Sequence, residues 1–494
     1  VVDPTVVDPA RTALAMAGRV LDHSTLHRHV RHAADRLTAM VAETPPGHER
    51  PPLVAVPAVA RAETVVAVLA GLHAGVGVVP VNVDAGEAEI RHVVDDARPL
   101  AVVGAPIDPR TAFAGLPHLM LDLDAVPDAA TTHHRAPRHH EGPALVVYTS
   151  GTTGPPKGVV LSSRALAADL DALARAWRLR ETDVLVHSLP LFHVHGLVLA
   201  TLGPLRVGAT VRHLGRFEPA AVSEAFAHGG TVFYGVPTMY HRLADAVETQ
   251  PTLAEPLANA RLLVSGSAGL PAHDRVRVTT ATGRPVLERY GMTETLITCA
   301  MTVDGTAEPG SVGPPLPGVE LRLIDDDDRL VPSDDTATIG EIQVRGATLF
   351  DGYLGRPDAT QAAFTDDGWF RTGDLATWSP TGAVRIAGRR SVDLIKSGGY
   401  RIGAGEVENA LLSHPDVAEV AVTGQPDADL GERVVAWVVP VAGSDPDPTD
   451  LADHVGRALA RHKRPRALHL VDRLPRNPLG KVLKASLTEP PTEG

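Results

Sequence analysis

Between Tyr148 and Gly158 the chain reads YTSGTTGPPKG. Hydroxyls at Thr149, Ser150, Thr152 and Thr153 alternate with Gly151 and Gly154, and the segment ends on Lys157. Glycines let successive backbone N–H groups turn toward one centre, and hydroxyl donors with an ammonium complete an anion nest. The chemistry implied is the holding of polyphosphate. It is not the common P-loop, which needs Gly-Lys followed at once by Ser or Thr, because Lys157 follows two prolines and precedes Gly158. A polar surface loop is the competing reading, and such loops rarely combine all of these features.

Only five of the 46 basic residues are lysines: Lys157, Lys396, Lys463, Lys481 and Lys484. Arginine supplies the rest of the positive charge, so the lysines mark places where a compact ammonium works and a planar guanidinium does not. Chance survival is the alternative, strongest for Lys484.

These groups need a scaffold. The chain has 494 residues, too many for one ordinary core, so at least two domains are expected. Hydrophobic residues make up 44% and charged residues 21%, as in soluble globular proteins. A net charge of −13 argues against nucleic acid or an anionic membrane as partner. Cys299 is the lone cysteine, which excludes an intrachain disulfide and a cysteine-ligated metal. With no signal-like start and no apolar run of membrane-spanning length, the expected location is cytoplasmic.

An apolar run at Ala144–Val147 reads as the buried strand feeding the loop. Earlier, strand-like runs at Leu53–Val56 and Val78–Val81 flank a helical pattern over Ala60–Gly75, a βαβ rhythm that implies parallel sheets covered by helices. After the loop, Leu166, Leu170, Leu173 and Trp177 mark one helix face. Strands are expected at Val184–Val186, Thr231–Tyr234, Leu262–Val264 and Pro285–Leu287, each ending in a polar or glycine-bearing segment. Ligands collect beyond the carboxyl ends of parallel strands, so these four exits are suspects as a set. From about Gly310 short β segments take over, at Val319–Ile324 and Gly340–Arg345, with the acidic run Asp325–Asp328 as a solvated turn. From about Ser391 a smaller unit begins, with strands at Val417–Val422 and Val434–Pro440. The histidines at 133, 134, 139 and 140 lack carboxylate or cysteine partners at ligand spacing and read as a solvated loop.

Four further segments follow in order: SGSAGLP (Ser265–Pro271), ERYGMTET (Glu288–Thr295), FRTGDLA (Phe370–Ala376) and GRRSVDLIKSGGYRIGAGEVE (Gly388–Glu408), with PRNPLGK ending at Lys481. Together with the phosphate loop, this set resembles the adenylate-forming acyl-CoA synthetase superfamily over roughly residues 50 to 485. The resemblance implies an α/β protein. Its large N-terminal domain (1–389) would hold stacked parallel and mixed sheets, helices and a β subdomain. A small mobile α+β C-terminal domain (390–494) would act as a lid. It implies ATP, Mg²⁺ and coenzyme A as cofactors. The Thr149–Lys157 loop would grip the β- and γ-phosphates, and Ser265, Gly266 and Ser267 would line the adenine. The Glu288, Arg289, Tyr290, Gly291, Met292 and Thr293 stretch would pass the nucleotide, with Tyr290 near the base and Thr293 at the α-phosphate. Glu294 would hold the metal; Asp374 and Arg389 would take the ribose; Lys481 would approach the acyl carboxylate. After a swing about Ser391, the segment Lys396, Ser397, Gly398, Gly399, Tyr400 would admit the pantetheine arm. Relatives often carry Asp or Lys where Ser391 stands.

LPLFHVHGL (Leu189–Leu197), the arginine in ERYGMTET, GRF at 215–217 and VPTMYHR at 236–242 resemble the malonyl-CoA synthetase branch. That implies a short pocket with a cationic end, in which Arg289 takes the far carboxylate of malonate or methylmalonate, assisted by His193 or Arg216. Val236, Met239 and Met292 would wall the acyl group, and His195 would orient its loop. Arg289 could instead pair structurally with Glu288 or another acid. The remaining alternatives are a biosynthetic ligase for a larger acid, one with a weakened half-reaction, and an enzyme that loads a carrier protein. A non-catalytic nucleotide binder would have no need of Lys481. The expected partners are small molecules and a downstream acyl-CoA-using enzyme.

Overall fold

The computed structural model describes residues 8–43, 51–105, 113–124, 127, 142–149, 156–305, 308, 310–389, 393–398, 400–427, 429–476 and 482–487. Two sheets stack over shared helices. The seven-stranded sheet runs Gly352–Tyr353, Lys157–Ser162, Pro143–Thr149, Gly77–Val81, Leu53–Pro57, Val102–Gly104, His118–Met120. Its last five strands are parallel, as the βαβ rhythm requires. The eight-stranded sheet runs Leu296–Ala300, Val286–Met292, Leu262–Ser265, Val232–Gly235, Val184–His187, Thr210–His213, Thr12–Met16, Arg19–Asp22. Six central strands are parallel and an antiparallel hairpin closes each edge. The four suspected exits therefore lie side by side, all opening at one end of one sheet.

Helix Ala62–Ala74 is apolar on nearly every side and, Glu63 apart, buried from Ala62 through Gly71, the character expected of a helix covered on all faces. It contacts strands of both sheets. Gly75 ends it at φ 71°, a left-handed cap. Helix Ser163–Ala176 is capped by Ser162, whose hydroxyl accepts the Ala165 N–H at 3.3 Å. Leu166, Leu170, Leu173 and Trp177 are all buried, so the periodicity located the inner face. One hydrophobic cluster runs from Leu14 through Leu145 and Leu166 to Leu185, joining both sheets.

The next sheet is antiparallel, in the order Leu330–Val331, Val319–Ile324, Gly340–Gly346, Phe370–Trp378, Val384–Arg389. Asp325 accepts the N–H groups of Asp327 and Arg329, so the acidic run is a turn. Beyond it, Leu394–Ser397, Tyr400–Gly403, Val417–Asp427 and Gly431–Pro440 form a sheet, to which Ala467–Leu470 adds in parallel. Helices Ala404–Leu412 and Pro448–Ala458 pack on it around Val407, Val422, Val438 and Val455. Among the described residues, the buried clusters of this unit contain nothing before Ile395, and those of the larger unit nothing after Ile386. No helix among the described residues is long and apolar enough to cross a membrane.

Candidate active site

Thr149 ends one strand and Lys157 opens its antiparallel partner, the two facing each other across the pair. The phosphate loop is thus the connection of a hairpin and not the entry to a helix. Ser150, Gly151, Thr152, Thr153 and Gly154 lie outside the described residues. The Lys157 ammonium stands 5.0 Å above the Tyr353 ring, and the Tyr353 hydroxyl donates to Glu294 Oε1 at 3.0 Å. Glu294 is 6% exposed. Burial pushes its pKa up, against the Tyr353 hydrogen bond and the charge of Arg389.

A second group draws on three strands. The Tyr290 hydroxyl donates to Asp374 Oδ2 at 2.7 Å. Arg389 Nε donates to Asp374 Oδ1 at 2.9 Å, from a position directly opposite on the neighbouring strand. Asp374 and Glu294 also feel each other's charge, so the two groups share one region. An acceptor-only carboxylate held by a phenol and a guanidinium suits a pair of sugar hydroxyls.

The sheet exits form the third group. Gly235, Ser265 and Glu288 are in register on adjacent strands. Ser265 is fully buried and among the described residues its hydroxyl has no hydrogen-bond partner. Ser267 sits at φ 74°, a strained conformation for a serine, and meets His195 Nδ1 at 3.2 Å. Between them, a Cβ on Gly266 would lie 2.3 Å from Arg289 Nε, so the guanidinium packs flat against the loop. Arg289 is 7% exposed, and among the described residues its Nε and Nη2 have no hydrogen-bond partner. Burial lowers its pKa to about 10. Glu288 is not its mate: it accepts from Arg275 Nη1 and from the Leu270 N–H, both at 3.0 Å. The Glu288 carboxylate, expected among the nucleotide contacts, braces the 265–271 loop through the Leu270 N–H. Burial and then the charge of Arg289 lower His193 to about 4, and the same causes hold His195 well below its ordinary value. Both imidazoles are neutral near pH 7.

Val236, Met239 and Met292 are half-buried and pack on a common cluster. Arg216 is the expected substrate residue that the structure turns away: its side chain is 89% exposed and its nearest acid is Glu218, at 3.7 Å. Gly291 lets the 286–300 hairpin close, since a Cβ there would meet Leu296 O at 1.8 Å. That turn carries Thr293, which is buried.

In the smaller unit, Lys396 is exposed, Ser397 buried, and Gly398 turns the hairpin at φ 57°. Tyr400 stacks on His462 with ring centroids 4.0 Å apart. Lys484 joins Asp393 and Glu408 in a half-buried ion triad, a structural post for the lysine whose survival looked most like chance. Gly399, Ser391 and Lys481 lie outside the described residues. His241, His273 and Asp274 gather ligand-type atoms elsewhere, but Arg277 Nη1 already holds the Asp274 carboxylate at 3.1 Å.

The model of the AMP-binding enzyme family matches residues 5–354, and that of the AMP-binding enzyme C-terminal domain matches residues 406–481. The chain belongs to the AMP-binding enzyme family. A malonate–CoA ligase of mouse, named as mitochondrial, is 38% identical over 461 residues, 86% of this chain and 79% of its own. A probable CoA ligase of Humulus lupulus is 40% identical over 380 residues, 72% of this chain, which spans 62% of that relative's length. Among solved structures, a malonyl-CoA ligase ternary product complex with methylmalonyl-CoA and AMP is 51% identical, with a TM-score of 0.70 and coverage of 95% and 97%. ATP-bound MatB from Rhodopseudomonas palustris is 35% identical, with a TM-score of 0.85 and coverage of 97% and 95%. The α/β fold with its small C-terminal unit is that of adenylate-forming acyl-CoA synthetases, and the relatives group the chain with the malonate–CoA ligases.

Two residues that touch the elements carrying these groups were not singled out by sequence reasoning, Tyr353 and Asp169, which accepts the Ile297 N–H. Tyr353 bridges the lysine and the glutamate, and nothing near it in the chain signals that. Asp169 is different. It falls on the apolar face of helix Ser163–Ala176, three residues after Leu166 and four before Leu173, and a lone carboxyl there is a legible anomaly.

Proposed function

We propose that the chain is an AMP-forming acid–CoA ligase whose acid is a short dicarboxylate, malonate or methylmalonate. One observation carries the choice of acid: a buried arginine at a sheet exit with two nitrogens unsatisfied. A desolvated guanidinium without an anion is costly, and a carboxylate placed there accepts two parallel N–H bonds. An uncharged acyl tail would leave Arg289 unpaired, so the site selects against fatty acids. The neutral imidazole of His193 adds a hydrogen-bonding wall without competing for the anion.

At the other end of the acid, a carboxylate oxygen bonds to the α-phosphorus of ATP as the bond to pyrophosphate breaks. The barrier is largely the meeting of two anions, so the protein's contribution is positive charge and hydrogen bonding placed in advance. Lys157 and the Thr149–Gly154 hydroxyls and amides would hold the β- and γ-phosphates. Asp374 with Arg389 would hold the ribose, Ser265–Ser267 and Tyr290 the base, and Thr293 the α-phosphate. Glu294 fits a magnesium ligand: it is buried, one oxygen is held by Tyr353, and among the described residues no basic side chain pairs with it. Bound there, Mg²⁺ would neutralise phosphate charge. Lys481 would bridge acyl carboxylate and α-phosphate. In the second step the thiol of coenzyme A displaces AMP at the acyl carbon, with Lys396–Tyr400 beside the pantetheine.

The division at 389/390, with Ser391 as pivot, is part of the proposal. The 51%-identical product complex superposes less well than the 35%-identical ATP-bound structure. That ordering supports a rigid-body difference between two units within one fold. A cytoplasmic location is likewise proposed, supported by a single buried thiol; the vertebrate relatives are named as mitochondrial.

The test is Arg289→Ala. The kcat/KM for malonate should fall by about two to three orders of magnitude, the loss expected when a buried ion-pair partner is removed. The KM for ATP should move far less. Unchanged malonate kinetics would overturn the dicarboxylate reading.

A further inference from the structure

Asp169 is wholly buried on helix Ser163–Ala176. Its Oδ1 accepts the Ile297 N–H at 2.9 Å, and among the described residues its Oδ2 has no hydrogen-bond partner. Ile297 lies across the hairpin from Gly291, two residues after Arg289. The aspartate thus abuts the hairpin that carries the buried arginine, and each has open hydrogen-bonding positions. No role in binding or catalysis has so far been given to this carboxyl.

We infer that Asp169, once ionised, competes with the substrate's far carboxylate for Arg289, so that binding of that carboxylate is coupled to protonation of Asp169. The inference rests on the dicarboxylate reading of the site. Its physics is charge counting in a dry space. One guanidinium balances one carboxylate; a second carboxylate would leave an uncompensated buried anion, which costs several kcal/mol. Taking up one proton at Oδ2 removes that charge, with no other bond made or broken.

The surroundings leave Asp169 as the group that must titrate. From the hairpin, the charge of Arg289 acts on it, while the Tyr290 hydroxyl is engaged by Asp374. Tyr234, on strand Val232–Gly235, is buried and held neutral, since burial pushes its pKa up. His193 and His195, at the π-helical turn His195–Leu202, are neutral for the reason given above. On neighbouring turns Arg206 is committed to Asp171, while Lys157 opens the adjacent strand beside Tyr353. Burial pushes Asp169 up to about 8, against the Ile297 N–H and the charge of Arg289. Below that value the acid is already protonated and the arginine is open to substrate. Above it, Asp169 ionises and competes.

The measurement is the malonate KM of the full-length enzyme at saturating ATP, at pH 7 and pH 9, for the wild type and Asp169→Asn. Asparagine keeps the acceptor for the Ile297 N–H and cannot ionise. A group titrating near 8 weakens apparent affinity by about tenfold at pH 9 and hardly at all at pH 7. The wild-type to variant KM ratio should therefore rise about tenfold between the two values. If the variant folds poorly, calorimetry of malonate binding to the wild type in two buffers of different ionisation enthalpy serves instead. Uptake near one proton per malonate at pH 9 and near zero at pH 7 is expected. A KM ratio, or a proton uptake, that is the same at both pH values overturns the coupling and leaves the dicarboxylate reading standing. Failure of malonate to release pyrophosphate at either pH overturns both.

Discussion

Arg289 and Asp374 show two ways of keeping a charge buried. Asp374 is satisfied by Tyr290 and Arg389, whereas Arg289 is left open. Replacing Asp374 by Asn keeps the shape and discards the charge. The KM for ATP should rise by roughly tenfold, since hydrogen bonds to a charged group are each worth about 1.5–3 kcal/mol; titration with a fluorescent ATP analogue checks it. Gly266→Ala should raise the malonate KM while leaving stability nearly intact. The three atoms nearest the added methyl all belong to the far end of the Arg289 side chain and none to the backbone. Arg289, Tyr290, Asp374 and Glu294 were legible because each stands in a motif dense with Gly, Thr and charge. Tyr353 was not, because its partner Glu294 is 59 positions away and its own neighbourhood is ordinary. Arg216 was over-read: a basic residue after glycine resembled a substrate contact, and the structure leaves it in solvent.

The 286–300 hairpin does more for the proposed site than any other element, because it carries Arg289 and Tyr290 on its first strand and Thr293 and Glu294 on its turn. Gly291→Ala puts a methyl 1.8 Å from a backbone oxygen that has nowhere to go. It should cost at least ~2 kcal/mol, from strain of the overpacking kind, and should lower activity toward every acid alike. Urea unfolding alongside the acid panel separates this from a specificity effect. Strand positions along the chain were readable as short apolar runs, because both sheets are buried on two faces and their strands need not alternate. Which strands become neighbours was not readable. Thr12–Met16 joins beside Thr210–His213 from nearly 200 residues away, and no local pattern encodes that pairing. The π-helical turn His195–Leu202 was also hidden. It is a continuous buried apolar run, and periodicity cannot separate such a run from a strand.

At the scale of the molecule, the buried clusters of the described residues stop at Ile386 and begin again at Ile395, and the proposal divides the chain between them. A change in character from about Ser391 was readable in the sequence, because a new run of strands and helices must enclose a new core. If the smaller unit supplies Lys481 for the first step alone, Lys481→Ala should slow malonyl-AMP formation by about a hundredfold or more. The same variant given preformed malonyl-AMP should still make the thioester with coenzyme A, as followed by thiol consumption. One experiment bears on the whole proposal. Pyrophosphate release is measured with malonate, methylmalonate, succinate, acetate and octanoate, each with and without coenzyme A, together with the acyl product formed. Malonate or methylmalonate should lead by at least tenfold in kcat/KM, with AMP and the acyl-CoA as products only when coenzyme A is present. Equal or better turnover of octanoate would contradict a site built around an unpaired buried arginine.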